Sequence, residues 1–323
     1  MSSPRVSVVT PFYNTARFLR ECIESVLRQD FRDFEYVLVD NCSTDGGGEI
    51  AAEYAERDPR IRLLRQPTHL SQVDNYNSAL TAISAESTYC KVVQADDWIF
   101  PSCLTEMVRL ADANPRVGLV SAFGIEGRYI AQAGLEFGTG VYDGREICRM
   151  ALKQGLTVFG SPTSVLFRAD LVRARAPAFY RPTSPFEDVE VCFEILREAD
   201  FGFVFQVLSF NRREPGSLWE RMARFNPLTL MHFLTVHRFG PEYLDEAELA
   251  RTIGSVSWRY YDLLARAKIE GAPREFWEFH TAALAQQGLE IDRWVLRRHV
   301  LRRLLDPVGK AARALPRLTR SPR

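Results

Sequence analysis

The chain has 323 residues, 46% of them apolar and 25% charged, with 41 basic side chains balanced by 41 acidic ones. These shares exclude a fibrous repeat or a long disordered chain, and the length suggests one large domain with an appendage. No uninterrupted apolar run of about 18 residues occurs, so no helical membrane span is expected.

The strand-like Val6-Ser7-Val8-Val9 follows the N-terminus so closely that no signal peptide fits, and a cytoplasmic location is expected. Six scattered cysteines without a C-x-x-C pair read as buried thiols rather than as a zinc site or a disulfide framework. The charge is unevenly placed. Ten basic residues against Asp306 give 293–323 a charge of +9, which leaves 31 basic and 40 acidic residues and a charge of −9 elsewhere. That asymmetry points to an electrostatic partner for the tail, and no nucleic-acid partner is expected.

In chain order, 5–10 is a short β-branched run, and 16–29 then places Phe18, Leu19, Cys22, Ile23, Val26 and Leu27 on one helical face. A strand is predicted over 35–40, a Gly-punctuated turn at 45–48 and a helix through Arg57. Further strands are predicted at 61–65, 89–95 and 117–123, with helices at 72–83 and 102–113 between them. Helix-length connections require crossovers, so the expected fold is α/β with a largely parallel sheet covered on both faces. Residues 124–140 read as an irregular loop, followed by a helix (144–153), a strand (164–168), a helix (188–199) and a strand (201–210). Beyond them the pattern is helical, which divides the chain into domains 1–217 and 218–323.

Ligands of such sheets bind at the carboxyl ends of the strands, where three polar loops fall. Asp96 and Asp97 offer the hard oxygens that Mg²⁺ or Mn²⁺ takes when it neutralises a diphosphate, and the same pair reads equally as a cap for the helix after Pro101. Asp40 and Asn41 offer acceptors to a base N–H or a ribose hydroxyl; alternatively they make an Asx turn that leads into an N-cap at Ser43, Thr44 or Asp45. Pro11 and Tyr13 form a turn, with Tyr13 also suited to stacking on a base. Asp188, after Glu187 at a helix start, is either a carboxylate placed to take a hydroxyl proton or an N-cap. His69 and Gln72 reach toward the phosphates or are loop residues, and Trp98 and Phe100 line an acceptor or simply pack.

Taken together, the motifs Val6-Ser7-Val8-Val9-Thr10-Pro11-Phe12-Tyr13-Asn14, Val37-Leu38-Val39-Asp40-Asn41-Cys42-Ser43-Thr44-Asp45-Gly46, Asn75-Tyr76-Asn77-Ser78-Ala79-Leu80 and Gln94-Ala95-Asp96-Asp97-Trp98 resemble the family 2 glycosyltransferases. The resemblance covers about 5–217. It implies a GT-A type fold, here with a helical C-terminal extension, and an inverting transfer from a nucleotide-sugar, a UDP-sugar above all, to a glycan or lipid-linked saccharide. It places Pro11, Tyr13, Asp40 and Asn41 around the nucleoside, Asp96 and Asp97 around metal, ribose and diphosphate, and Asp188 as the base. It also puts Glu214 where relatives often carry a metal-binding His. Gln94 replaces the first Asp of the family's D-x-D signature and brings no charge, and Asn41 stands where many relatives have Asp.

These departures keep a non-catalytic glycan- or nucleotide-binding relative as the alternative. A nucleotidyltransferase is disfavoured because 10–17 lacks a Gly- and Arg-rich phosphate loop, and a nicotinamide dehydrogenase because no G-x-G-x-x-G follows the first strand. In the tail, Trp294, Val295, Leu296, Val300, Leu301, Leu304 and Leu305 recur at helical spacing among arginines. Such a helix suits an anionic membrane surface, giving peripheral association, or docks on the acidic body or on a second subunit.

Overall fold

The computed structural model describes residues 3–181, 185–213 and 222–305. The chain separates into two compact units, Met1–Arg221 and Met222–Arg323.

The first unit is built on one mixed sheet. Its strands are β1 (Val6–Phe12), β2 (Phe34–Asp40), β3 (Ile61–Arg65), β4 (Tyr89–Val92), β5 (Trp98–Ile99), β6 (Val117–Glu126), β7 (Tyr129–Ala131), β8 (Val141–Tyr142), β9 (Leu166–Arg168) and β10 (Asp200–Asn211), in the order β3-β2-β1-β4-β9-β6-β10-β5. The neighbours β3, β2, β1 and β4 are parallel, as are β6 and β10, while β9 runs antiparallel between β4 and β6 and joins the two blocks. The crossovers run through α1 (Ala16–Leu27), α2 (Gly47–Arg57), α3 (Gln72–Thr81) and α4 (Cys103–Ala113). Three more helices follow: α5 (Gly144–Gln154), α6 (Ala169–Arg173) and α7 (Glu187–Ile195).

Apolar spacing explains the local choices. In α1, Leu19, Cys22, Ile23 and Val26 form the i, i+3, i+4, i+7 stripe and are all buried. Each large aliphatic in that stripe contributes about 1.5–3 kcal/mol by leaving water. β1 is buried at every residue, as expected of a strand covered on both faces. Five of the six thiols are buried and all six are free, as their scattered placement suggested.

Two readings change. Residues 124–140 are not wholly irregular, because β6 continues to Glu126 and pairs with β7 in a hairpin. β7 is three residues long with Tyr129 and Ile130 exposed, so no apolar alternation marks it in the sequence. The predicted helix cap for Asp96 and Asp97 is also absent: β5 intervenes, and α4 begins after Ser102 without a side-chain cap.

The strand order turns back between β1 and β4, which opens a crevice at their carboxyl ends. The loops after β1, β2 and β4 all leave from that edge, bringing 13–15, 41–46 and 93–97 together.

The second unit contains α8 (Pro227–Tyr243), α9 (Glu246–Ile269), α10 (Arg274–Gln286) and α11 (Arg293–Leu305). A capping box between Asp245 and Glu248 starts α9. Its core holds the buried pair Tyr260 and His280, whose imidazole meets the Tyr260 hydroxyl at 3.0 Å and the Phe225 carbonyl at 2.9 Å. Burial pushes His280 down to about 4, so it packs as a neutral ring.

Candidate active site

The centre of the site is Asp97. It is buried, and its carboxylate accepts from the Thr163 hydroxyl (2.6 Å), the Asn211 amide (2.8 Å) and the Arg212 backbone N–H (2.9 Å). The loop after β4, the 3-10 turn at Pro162–Ser164 and the end of β10 therefore meet on one side chain. Burial, reinforced by the neighbouring Asp96 charge, pushes Asp97 up from the usual carboxylate range. A carboxylate has about four acceptor positions and three are filled here, so Asp97 fixes the loop and presents little toward a ligand.

Asp96 differs. It is half-buried, its backbone carbonyl takes the Arg212 guanidinium at 2.8 Å, and burial raises its carboxyl while the Arg212 charge opposes the rise. Arg212 also reaches Glu21 and lies over the Phe18 ring at 4.6 Å, so it is held from α1 as well as from β10. Of the two acids, Asp97 has three side-chain-directed donors and Asp96 is the less buried. Glu214 lies outside the described residues. Gln94 offers no charge; its backbone N–H donates to the Thr163 hydroxyl at 3.1 Å, and its side chain bonds the Tyr76 hydroxyl.

In the loop after β2, Asp40 is buried and its Oδ1 accepts from the Ser43 N–H at 2.9 Å, the Asx turn allowed for in the sequence. A Cβ at Gly48 would stand 2.7 Å from Asp40 Oδ2, so the start of α2 approaches this carboxylate as only glycine permits. Asn41 follows Asp40 in the same loop. Its amide is engaged in both directions by Leu70, accepting from the backbone N–H at 2.9 Å and donating to the carbonyl at 3.0 Å. It pins the loop before α3. Pro11 is buried within β1, whereas Tyr13 is exposed and meets His69 edge-on at 4.5 Å. Asn14, at φ 52°, accepts from the Thr44 N–H at 2.8 Å, and Asp45 accepts from Ala16 N–H at 2.8 Å, so the first two loops are knitted together.

Asp188 lies in the first turn of α7, where the helix dipole would favour its anion. Burial outweighs the dipole, and with Glu187 alongside the carboxyl is pushed up to about 7. Tyr180 is buried beside it with a hydroxyl that finds no hydrogen-bond partner among the described residues, and the Asp188 charge is the largest acting on that phenol. Its backbone N–H and carbonyl are both taken by the Asn77 amide at 2.8 Å. The Tyr180 ring meets Tyr76 at 6.1 Å, and Tyr76 in turn feels Asp96. The two tyrosines in ring contact thus each feel one of the acids, Tyr76 the charge of Asp96 and Tyr180 that of Asp188.

Gln72 bonds the Tyr76 hydroxyl, and Trp98 stacks on Phe210 at 5.0 Å and packs on Phe100 at 4.7 Å, which is the packing reading of that pair. Sequence reasoning gave no role to Thr163, Asn211, Arg212, Tyr76 or Tyr180. Among the described residues no group of three His, Cys, Asp or Glu side chains is disposed to hold a metal by itself.

The chain is similar to the Bacillus subtilis glycosyltransferase EpsJ, 39% identical over 113 residues, which is 34% of this chain and 31% of EpsJ. Over a longer stretch it is 28% identical to the Bacillus subtilis protein EpsE, covering 227 residues, 69% of this chain and 77% of EpsE. The chain thus spans only about a third of the length of EpsJ but most of EpsE. In fold it matches the Staphylococcus aureus TarS 1-349 crystal structure in complex with UDP-GlcNAc, with a TM-score of 0.64 and 16% identity over 96% of this chain and 91% of that one. It also matches the Pyrobaculum calidifontis mannosyltransferase PcManGT in complex with GDP-Man and Mn²⁺, with a TM-score of 0.57 and 19% identity over 94% and 88%. The Glycosyl transferase family 2 model matches residues 7–175, across the loops just described, and the chain belongs to that family.

Proposed function

We propose that the protein is an inverting glycosyltransferase that passes the sugar of a UDP-sugar donor to a hydroxyl of a glycan or lipid-linked saccharide. The observation that carries this reading is the pair of unlike carboxyls, half-buried Asp96 after β4 and Asp188 raised to about 7, each acting on one of the paired tyrosines Tyr76 and Tyr180. In this reading Asp188 takes the acceptor hydroxyl proton while the acceptor oxygen bonds to the anomeric carbon. The bond from that carbon to the diphosphate oxygen breaks on the opposite face, the leaving group keeps the electron pair, and configuration inverts. Asp40 and Tyr13 hold the nucleoside. The UDP preference is supported by the TarS complex with UDP-GlcNAc, which shares the fold.

A divalent ion fits the residues present. Mg²⁺ or Mn²⁺ at such sites is held by one or two carboxylates together with the substrate's phosphates, and Asp96 supplies one. When bound, the ion neutralises charge on the departing diphosphate. Asp97 and Arg212 keep Asp96 in place.

Asp188 must be unprotonated to act. Transfer measured as kcat/KM should fall as pH drops through about 7 and level off above it, roughly tenfold per pH unit on the acid side. A profile flat from pH 5 to 8 would remove Asp188 as the base.

The basic helix supports a place at an anionic lipid surface. No described helix is long and apolar enough to cross a membrane. One face of α11 docks on α9, with Arg303 gripping Asp262 in a bidentate pair at 2.6 and 2.5 Å. The other face leaves Trp294 73%, Leu301 58% and Leu305 76% exposed among Arg297, Arg298 and Arg302. Trp258 on α9 extends it, with Arg302 over its ring at 5.0 Å. Bulky apolar groups beside snorkelling arginines suit a headgroup boundary. The full chain should co-sediment with phosphatidylglycerol-containing vesicles and lose that binding in Trp294→Glu/Leu301→Glu; equal binding by both would sink the idea.

A further inference from the structure

Lys91 has no part in the chemistry above, yet it sits in β4 with no exposure at all. Burying an ammonium without a carboxylate against it is costly, and desolvation lowers its pKa. Its Nζ donates to the backbone carbonyls of Thr163 and, at 3.2 Å, Val165. Both carbonyls belong to the stretch that enters β9, which β4 pairs in antiparallel register at Lys91 and Leu166. An apolar residue would pack more cheaply at this position but would take the ammonium donor away from two buried carbonyls.

What the ammonium holds is the residue that holds Asp97. The Thr163 hydroxyl accepts from the Gln94 N–H at 3.1 Å and donates to Asp97 at 2.6 Å, and Thr163 is itself fully buried. Lys91 and Asp97 thus lie at the two ends of one short chain: ammonium, carbonyl and hydroxyl of the same threonine, carboxylate. The Asp97 charge acts on Lys91 and opposes the effect of its burial. The 3-10 turn carrying Thr163 has only three residues, too few to keep its own shape, so its position depends on these outside contacts.

We propose that Lys91 and Thr163 are positioning residues for the donor site: Lys91 fixes the Pro162–Ser164 turn, Thr163 fixes Asp97, and Asp97 sets Asp96 where a divalent ion and a nucleoside diphosphate meet. The proposal rests on the donor-site reading given above. It makes the two residues one unit, so their effects overlap rather than add.

The test is a double-mutant cycle with Lys91→Met and Thr163→Val, both close in volume to the originals. Mn²⁺-dependent UDP binding is followed by calorimetry and unfolding temperature by calorimetric scan. Each single variant is expected to weaken Mn²⁺–UDP binding about tenfold, the scale seen when a residue that orients a metal ligand is lost. The double variant should be no weaker than the poorer single one, and its fall in unfolding temperature should likewise fall short of the sum. Thr163→Ser, which restores the hydroxyl, should recover nucleotide affinity. Thr163→Val keeps the proposal exposed even where Lys91→Met fails to fold. Fully additive losses, or unchanged affinity in folded Thr163→Val, would overturn it. If the unaltered protein binds no nucleotide, the donor-site reading fails, and the unfolding-temperature cycle still reports whether Lys91 and Thr163 act together.

Discussion

Asp188→Asn is expected to lower kcat by about 10²- to 10⁴-fold, the contribution of a positioned general base, and to leave nucleotide affinity unchanged. The substitution conserves shape and removes only the ability to take a proton. It also replaces a buried carboxyl, to which the Val189 N–H donates at 2.9 Å, by an amide whose oxygen accepts the same bond. The folded protein should therefore tolerate the change, and the loss should appear in kcat rather than in KM for the donor. Steady-state kinetics beside a nucleotide titration measure both. Full turnover in this variant would mean that another group accepts the proton.

The second large effect concerns Asp96. Residues that merely orient a metal ligand are worth about 10–100-fold in metal affinity, so removing the ligand itself in Asp96→Ala should weaken Mn²⁺-dependent nucleotide binding by at least about a hundredfold. The fold should survive, because the Asp96 contact that ties it to Arg212 runs through the backbone carbonyl and stays in place. Binding without metal should change far less. Titration of the variant with UDP, with and without Mn²⁺, checks this, and undiminished metal-dependent binding would take the ion away from Asp96.

Much of the first unit is legible in the sequence because its signals are local. The α1 stripe, the buried β1 and the Gly-marked start of α2 all declare themselves within a dozen residues. Asp96 and Asp188 stand out for the same reason, Asp96 in a motif that follows a strand and Asp188 at the start of a helix. What holds them is not local. Thr163 is 66 positions from Asp97, and Asn211 is 114 away, so no window of the chain shows the knot they make. The backbone partner of Asn41 is hidden for a related reason: Leu70 lies 29 residues on, and an amide bonded to backbone looks the same in sequence as one that is not. Asp97 illustrates the limit most clearly. Two adjacent carboxylates read as equivalent, and only the three donors converging on Asp97 separate a loop anchor from its less buried neighbour. Lys91 reads as an ordinary polar residue within an apolar run, and its burial follows from the antiparallel insertion of β9, which strand and helix periodicity did not foretell.

The measurement that tests the central claim most directly is a calorimetric titration of the purified full chain with UDP, GDP, dTDP and CDP, each with and without Mn²⁺. Saturable binding of UDP that depends on Mn²⁺ is the predicted result. Failure of all four to bind under either condition would contradict a nucleotide-sugar transferase and turn the reading toward a non-catalytic member of the family.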